Sequence, residues 1–133
     1  MTKRAKQVVP VAGLSKPTGV WSVVTAATPG KMIFVSGLLA KNAAGELIGV
    51  GDMAAQTEQV IANLKQALAS AGAELDDVVR VDVYTRDMSK FNEIHAVRRK
   101  HFPSEPPAST MVEVSRLTDE RALIEITAIA VVA

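Results

Sequence analysis

The C-terminal run RALIEITAIAVVA, Arg121–Ala133, constrains the fold more than any other segment of the chain. It is rich in β-branched residues and almost continuously apolar, a pattern typical of a central strand that is covered on both faces. Such a strand needs hydrogen-bonding partners along both of its edges and cover for both of its faces. The sequence therefore predicts a sheet with this segment at its centre.

The remaining strands are predicted from β-branched and alternating segments. A Thr-Pro-Gly turn separates two of these segments, which indicates a hairpin between them. A third segment alternates, with Val79, Val81 and Val83 on one face, as a half-buried strand requires. An early strand is also expected after a short basic lead-in at the N-terminus. The predicted strands are Val20–Ala26 and Lys31–Gly37 of the hairpin, Asp77–Thr85, and Ser109–Leu117 before the final strand.

Two helices are predicted between the strands. Asp52 is a suitable N-cap for the first, whose apolar residues recur at helical spacing until Gly72 ends it. Ser89 can cap the second, and Pro103 ends it. The expected fold class is α+β, with one mixed sheet and two helices on one of its faces.

A chain of 133 residues with 48% hydrophobic residues is expected to form a single domain over residues 1–133. Two helices cover only one face of the sheet, yet alternation leaves Ile and Val on both faces of the last strand. We therefore expect the second face to be buried by another copy of the chain, with ligand pockets at the joins.

Composition excludes several classes of function. The net charge of +1 is too small to concentrate a polyanion, and no aromatic residues interleave the basic cluster at Val97–His101, which is interpreted as a solvated helix face. Nucleic acid is therefore not an expected partner. The absence of cysteine excludes thiolate chemistry and fits a reducing compartment, so the cytoplasm is expected. No apolar stretch approaches the roughly 20 residues that a membrane span needs.

Glu125 is the most informative polar residue because it stands in the middle of the apolar strand. An isolated charge there is costly unless it is hydrogen-bonded or opens onto a wet cleft. The functional interpretation is a carboxylate that holds or deprotonates a water molecule. The structural alternative is an edge or interface carboxylate paired with a neighbouring arginine, and the sequence leaves both open.

Three further residues have weaker functional interpretations. His95 lies on the apolar side of the second helix, where it can donate to a ligand or serve as a satisfied core histidine. His101 does not share a helix face with it, so no metal pair is predicted. Ser36 can offer its hydroxyl to a ligand or take part in an ordinary turn. Trp21, the only tryptophan, can close an apolar pocket or fill the core.

Taken together, these segments resemble the reactive intermediate deaminase family (RidA, also called YjgF). The similarity extends over nearly the whole chain and keeps the order of the family's segments. GVWS is similar to the early Gly-x-Tyr-Ser segment, and MIFVSG to a strand that ends in Ser-Gly. The other matching segments are QVIANLKQALASAGAELDDVVRVDVYTRDMSKF, PPASTMVEVSRL and ALIEITAIA.

The resemblance implies a chorismate-mutase-like fold and a homotrimer whose sheets form a central β-barrel. It also implies clefts between subunits that hydrolyse imines or enamines to keto acids and ammonia without a metal or a cofactor. On this basis Glu125 is the catalytic candidate, with Trp21, Ser36 and His95 as cleft residues. Trp21 falls where the family often has tyrosine, and His95 falls where asparagine is frequent.

The chain departs from the family pattern at Ser109. Deaminating members read Pro-Ala-Arg at this point, and that arginine grips the substrate carboxylate, a charge that serine cannot supply. The ligand is therefore expected to be less anionic, differently oriented or held by another cation, for which His95, Arg116 and Arg121 are the candidates. The residues still expected to line the cleft are Ala108, Ser109, Thr110 and Met111.

These observations favour a small-molecule enzyme that hydrolyses the C=N bond of an imine, enamine or related metabolite, with an atypical substrate. A metabolite-binding trimer without catalysis is the alternative, and it is motivated by Ser109. An endoribonuclease or translation-inhibitor function is the least favoured, because the charge is nearly neutral and no base-stacking surface is evident.

Overall fold

The computed structural model describes residues 4–133, so the first part of the predicted basic lead-in lies outside the described residues. The described chain forms strands and helices in the order expected of an α+β fold. Two short 3-10 turns, Leu75–Asp77 and Met88–Lys90, precede β4 and α2. The elements are β1 (Lys6–Val9), β2 (Val24–Ala27), β3 (Lys31–Leu38), α1 (Met53–Ser70), β4 (Val78–Thr85), α2 (Phe91–His101), β5 (Ala108–Glu113) and β6 (Ile124–Val132).

The main sheet has the strand order β3-β6-β4-β5. β6 runs antiparallel to both of its neighbours, whereas β4 and β5 are parallel, so the sheet is mixed. The prediction that the C-terminal run forms a central strand is confirmed. Along β6, Ile124, Ile126 and Ala128 are buried beneath the helices, while the residues between them are only half-buried. Within one chain, β6 is therefore fully covered on one face only.

The predicted hairpin between the second and third strands is wrong. β2 pairs with β1 in a separate two-stranded sheet, and β3 pairs with β6. The apolar edge of β6 offers β3 a longer partner than the four-residue β2 does. Gly30, in the turn after β2, permits this change of partner, because a Cβ there would lie 2.2 Å from the carbonyl oxygen of Val132.

The first helix forms as predicted. The carboxylate of Asp52 accepts a hydrogen bond from the backbone N–H of Ala55 at 3.0 Å, which satisfies one of the free donors of the first turn. Gly72 follows the last turn with φ of +79°, a left-handed conformation that favours glycine.

The second helix begins later than predicted. The prediction that Ser89 is its N-cap is wrong, because Asp87 instead accepts a hydrogen bond from the backbone N–H of Ser89 at 3.0 Å. This contact starts the 3-10 turn at Met88–Lys90, and α2 follows from Phe91. Aspartate competes well for such a position because its carboxylate is a strong acceptor. Ile94 on α2 is fully buried, as the predicted apolar side requires.

The face of the main sheet turned away from the helices is called the open face. It is defined by Phe34, Tyr84, Val112, Glu125 and Ile129, which alternation and register place on the same side. Phe34 is 70% exposed, and Val112 also lies open to solvent. In residues 4–133, no helix is both long enough and apolar enough to cross a membrane.

Candidate functional site

Five of the eight predicted site residues line one or the other of two separate cavities in the chain. The first, called the Arg98 pocket, is a cavity of about 190 Å³ on the helix side of β5. The second, called the Glu125 groove, is a wider and more open depression on the open face. The Arg98 pocket is lined by Trp21, Phe91, His95, Arg98, Ser109 and Met111. The Glu125 groove is lined by Arg116, Leu117, Thr118, Glu120 and Glu125.

Strand register explains this separation. Ser109 lies opposite the buried Val81, so its side chain points toward the helices. Glu125 lies opposite Tyr84, three residues further along β4, and points to the open face. Successive residues of a strand project to opposite faces, so an odd offset along β4 changes the side of the sheet. A single chain therefore does not bring Ser109 and Glu125 into one pocket.

The segment Ala108–Thr110 is divided in the same way. Ala108 and Thr110 lie opposite Arg80 and Asp82 and face the open side, where Arg80 Nη2 donates to Thr110 Oγ1 at 2.8 Å. Only Ser109 faces the Arg98 pocket. Within one chain, therefore, only one of these three residues lines the Arg98 pocket, because consecutive strand residues alternate between the two faces of the sheet.

Glu125 rests on a β-bulge in the neighbouring strand. The register between β3 and β6 shifts between Val35 and Leu38, which leaves the exposed Ser36 and Gly37 in the bulge. A Cβ on Gly37 would lie 2.4 Å from Glu125 Oε2, so the missing side chain makes room for the carboxylate. Ser36 is thus adjacent in sequence to the glycine that Glu125 covers. Among residues 4–133, no hydrogen bond or ion pair involves the Glu125 carboxylate.

His95 is held in one orientation and one tautomer. Its Nε2 accepts a hydrogen bond from the backbone N–H of Val20 at 2.8 Å, so in the neutral ring the proton is on Nδ1. The ring stacks on Phe91 with centroids 4.5 Å apart. Gly19 allows this approach, since a Cβ there would lie 2.0 Å from Nε2. Burial, followed by the charges of Arg98 and Arg99, lowers the pKa of His95 and favours the neutral form.

Arg98 is a site residue that the sequence reasoning missed. It is only 2% exposed, and its Nη2 donates to Val20 O at 3.1 Å and to Ser109 Oγ at 2.9 Å. Its Nε is buried and has no hydrogen-bond partner within the described chain. Burial lowers the pKa of the guanidinium to about 10, which leaves it charged at neutral pH.

The interpretation of Val97–His101 as a solvated face is therefore wrong for Arg98, which points inward. Lys100 and His101 pair with Glu58, so part of the remaining cluster is neutralised. Helical spacing is the signal that could have identified Arg98, because this residue lies on the same side of α2 as Ile94 and His95. A long cation in that position either extends to solvent or enters a pocket, and here it enters the pocket.

The cations proposed to replace the family arginine lie in different places. His95 lines the Arg98 pocket, but as a neutral donor and not as a charge. Arg116 lies in the Glu125 groove. Arg121 is exposed and pairs with Asp119 at 3.1 Å. The charge beside Ser109 therefore comes from Arg98, a fourth residue. No cluster of potential metal ligands occurs within residues 4–133.

Comparison with known proteins identifies the family. The family described as Endoribonuclease L-PSP matches residues 13–132. The chain belongs to this family. The relatives agree with the resemblance to RidA and YjgF, since a RutC family protein of Pyrococcus abyssi is 40% identical over 126 residues, which cover 95% of this chain and 97% of the relative. The 3-aminoacrylate deaminase RutC of Acinetobacter baylyi is 34% identical over 94% of this chain and 97% of its own length.

Solved structures support the same family and fold. The crystal structure of YyfB from Yersinia pestis, described as a protein of unknown function of the conserved Rid family, has a TM-score of 0.89. It is 32% identical and covers 96% of this chain and 99% of its own. Yeast Mmf1 has a TM-score of 0.73 at 28% identity, covering 96% of this chain and 99% of its own. The expected RidA/YjgF-like α+β architecture is therefore present in this member of the family.

Proposed function

We propose that this Rid-family protein hydrolyses the C=N bond of a small imine, or of an enamine after tautomerisation, in clefts between the protomers of a homotrimer. The observation that carries the proposal is the Glu125 groove. In this groove a half-buried carboxylate rests on Gly37 and has no internal partner in the described chain. The 3-aminoacrylate deaminase named among the relatives supports hydrolytic deamination as the reaction class.

The chemistry needs one positioned base. Glu125 accepts a proton from a water molecule while the water oxygen attacks the imine carbon, and the imine nitrogen gains a proton. In the resulting carbinolamine the protonated Glu125 gives its proton to the amino nitrogen, the hydroxyl proton passes to solvent, and the C–N bond breaks, which yields a carbonyl compound and ammonia. A positioned carboxylate contributes typically about 10²- to 10⁴-fold to the rate of such a step.

The proposed cleft is composite, and the two faces of the sheet support this arrangement. Glu125 and Ser109 project to opposite sides of one chain, so a site that uses both needs the groove of one protomer to meet the Arg98 pocket of another. Phe34 and Met32, which are 70% and 56% exposed, give the open face an apolar surface suited to burial between protomers. A trimer that packs these faces into a barrel core brings the two halves of the site together.

The direct test is ammonia release from imino acids generated in the assay by an amino-acid oxidase. The native protein should accelerate release over the uncatalysed rate, and Glu125→Gln should lower kcat by about 10²-fold or more. Glu120→Gln is a matched control, because this exposed glutamate lines the same groove. Ser109→Arg tests whether a second cation near the pocket alters substrate preference.

The outcomes separate catalysis from simple binding. Native ammonia release that Glu125→Gln leaves unchanged contradicts the proposed role of Glu125. Ligand binding without accelerated release supports the alternative, a metabolite-binding trimer. An RNA-cleaving function is disfavoured, because the basic side of α2 is reduced by the burial of Arg98 and by the pairing of Lys100 and His101 with Glu58.

A further inference from the structure

The structure points to a ligand site that the comparisons do not assign. We infer that the Arg98 pocket binds the carboxylate of a small anionic molecule, with Arg98 and His95 as the binding groups. The inference deepens the proposed function and rests on it for its catalytic meaning, because it makes the substrate of the composite cleft a carboxylate. Binding to the pocket can nevertheless be measured without any turnover.

The first argument is charge. Arg98 is 2% exposed, and its recorded partners are a carbonyl and a hydroxyl, both neutral. No carboxylate pairs with it among residues 4–133, and the titratable groups near it on α2, His95 and Arg99, supply no negative charge. A buried cation without a counter-ion is costly, and an anion that enters the pocket removes that cost.

The second argument is the pair of unused donors. With Nε2 of His95 accepting from Val20, the Nδ1–H points away from that bond and is buried without a partner. Arg98 Nε–H is also buried without a partner. His95 is 7% exposed, so solvent does not readily satisfy its donor. Buried donors are nearly always hydrogen-bonded, so two unpaired donors on residues that line the same pocket favour an acceptor such as a carboxylate there.

The third argument is size and lining. The cavity is about 190 Å³, which suits a carboxylate on a short body and is too small for a nucleotide. Trp21, Phe91 and Met111 supply apolar walls for that body. Ser109 donates no charge, but its hydroxyl holds Arg98 Nη2 at 2.9 Å and so fixes the guanidinium at the pocket wall. Of the three expectations raised by Ser109, this inference favours a ligand held by another cation, which is Arg98 of α2.

The test uses Trp21, the only tryptophan of the chain, as a fluorescent reporter in the pocket wall. The intact protein is titrated with propionate and with propionamide, which matches its shape but lacks the charge. Propionate should produce a saturable change, and propionamide should bind at least about tenfold more weakly. Inorganic phosphate tests whether any small anion suffices.

Arg98→Met should reduce propionate affinity by about 10- to 100-fold, since hydrogen bonds to charged groups carry that much discrimination. Arg99→Met is the matched control, because it removes the neighbouring exposed cation and should leave affinity within about twofold. His95→Gln should weaken propionate by several-fold, because the Nδ1 donor is lost. A melting curve accompanies each variant and shows whether it is folded.

Equal affinity for propionate and propionamide overturns the inference, as does an Arg98→Met variant that is folded and binds propionate normally. Phosphate binding as tightly as propionate overturns the assignment to carboxylates. If Arg98→Met does not fold, Arg98→Gln is used instead: it keeps an amide donor for the neighbouring acceptors but removes the charge, and undiminished propionate binding contradicts the inference. Propionate binding without ammonia release refutes the proposed function alone, whereas ammonia release without selective propionate binding refutes this inference alone.

Discussion

Gly37→Ala tests the position of Glu125 without touching the carboxylate itself. A Cβ on Gly37 would lie 2.4 Å from Glu125 Oε2 and 2.7 Å from Cδ, whereas an ordinary contact begins at 3.4 Å. The carboxylate must therefore move by about 1 Å, and a displacement of this size can cost about 10²-fold in rate. Gly37 is not among the residues with positive φ, so alanine fits its backbone.

The stability of this variant should change little. The displaced group is the end of a flexible, half-buried side chain, which can rotate away. Replacing glycine at a compatible backbone position lowers the entropy of the unfolded chain and contributes about 0.4–1 kcal/mol of stability. We expect the free energy of unfolding, measured in urea, to stay within about 1 kcal/mol of native while kcat falls.

A double-mutant cycle identifies the cause of the rate loss. If Gly37→Ala acts only through Glu125, adding it to Glu125→Gln should lower kcat by less than about threefold. The coupling free energy should then be about 2–3 kcal/mol, the equivalent of a 10²-fold effect. The assay is ammonia release from imino acids generated in place. A native rate in Gly37→Ala, or fully multiplicative losses in the double variant, would refute the reasoning.

Three other predictions follow from the Arg98 pocket and the proposed trimer. Gly19→Ala should lower the free energy of unfolding by about 2–4 kcal/mol in urea, because its Cβ would displace the His95 ring from its bond to Val20, and unchanged stability would contradict that contact. Mixing Glu125→Gln with Arg98→Met protein under refolding conditions should restore about a quarter of native ammonia release if each cleft takes one group from each protomer, whereas no recovery would place both groups in one chain. Stability should fall as pH drops through the ordinary His95 range, because the lowered pKa means that the unfolded chain takes up the proton first, and His95→Gln should show a flatter dependence of Tm on pH.

Local sequence patterns were sufficient to predict most of the strands and helices. The apolar run of β6, the helical spacing after Asp52 and the alternation along β4 each depend on neighbouring residues only, so they can be read without a structure. The predicted hairpin was wrong because strand pairing depends on segments that are distant in the sequence. The turn before β3 was recognised, but the partner of β3 is decided by β6, which lies about 90 residues further along the chain.

The sequence singled out Glu125 as a candidate but did not predict how the candidate residues are arranged. Glu125 is conspicuous because a charge interrupts an apolar strand, which the sequence alone shows. Whether the side chains of Ser109 and Glu125 project from the same face of the sheet depends on the register of β5 and β6 against β4. That register shows that a single chain holds the two halves apart.

The sequence by itself determined the family, the α+β class and the central strand. Only the tertiary structure showed that a guanidinium lies beside Ser109. It belongs to Arg98, which lies on α2 eleven residues earlier in the chain. The physical reason is that the sequence gives the charge of a side chain, whereas packing between helices and strands decides whether that side chain points into the core or to solvent. Arg98 is directed inward because α2 lies with its apolar side against the sheet, and this turns an apparently solvated cation into a buried one.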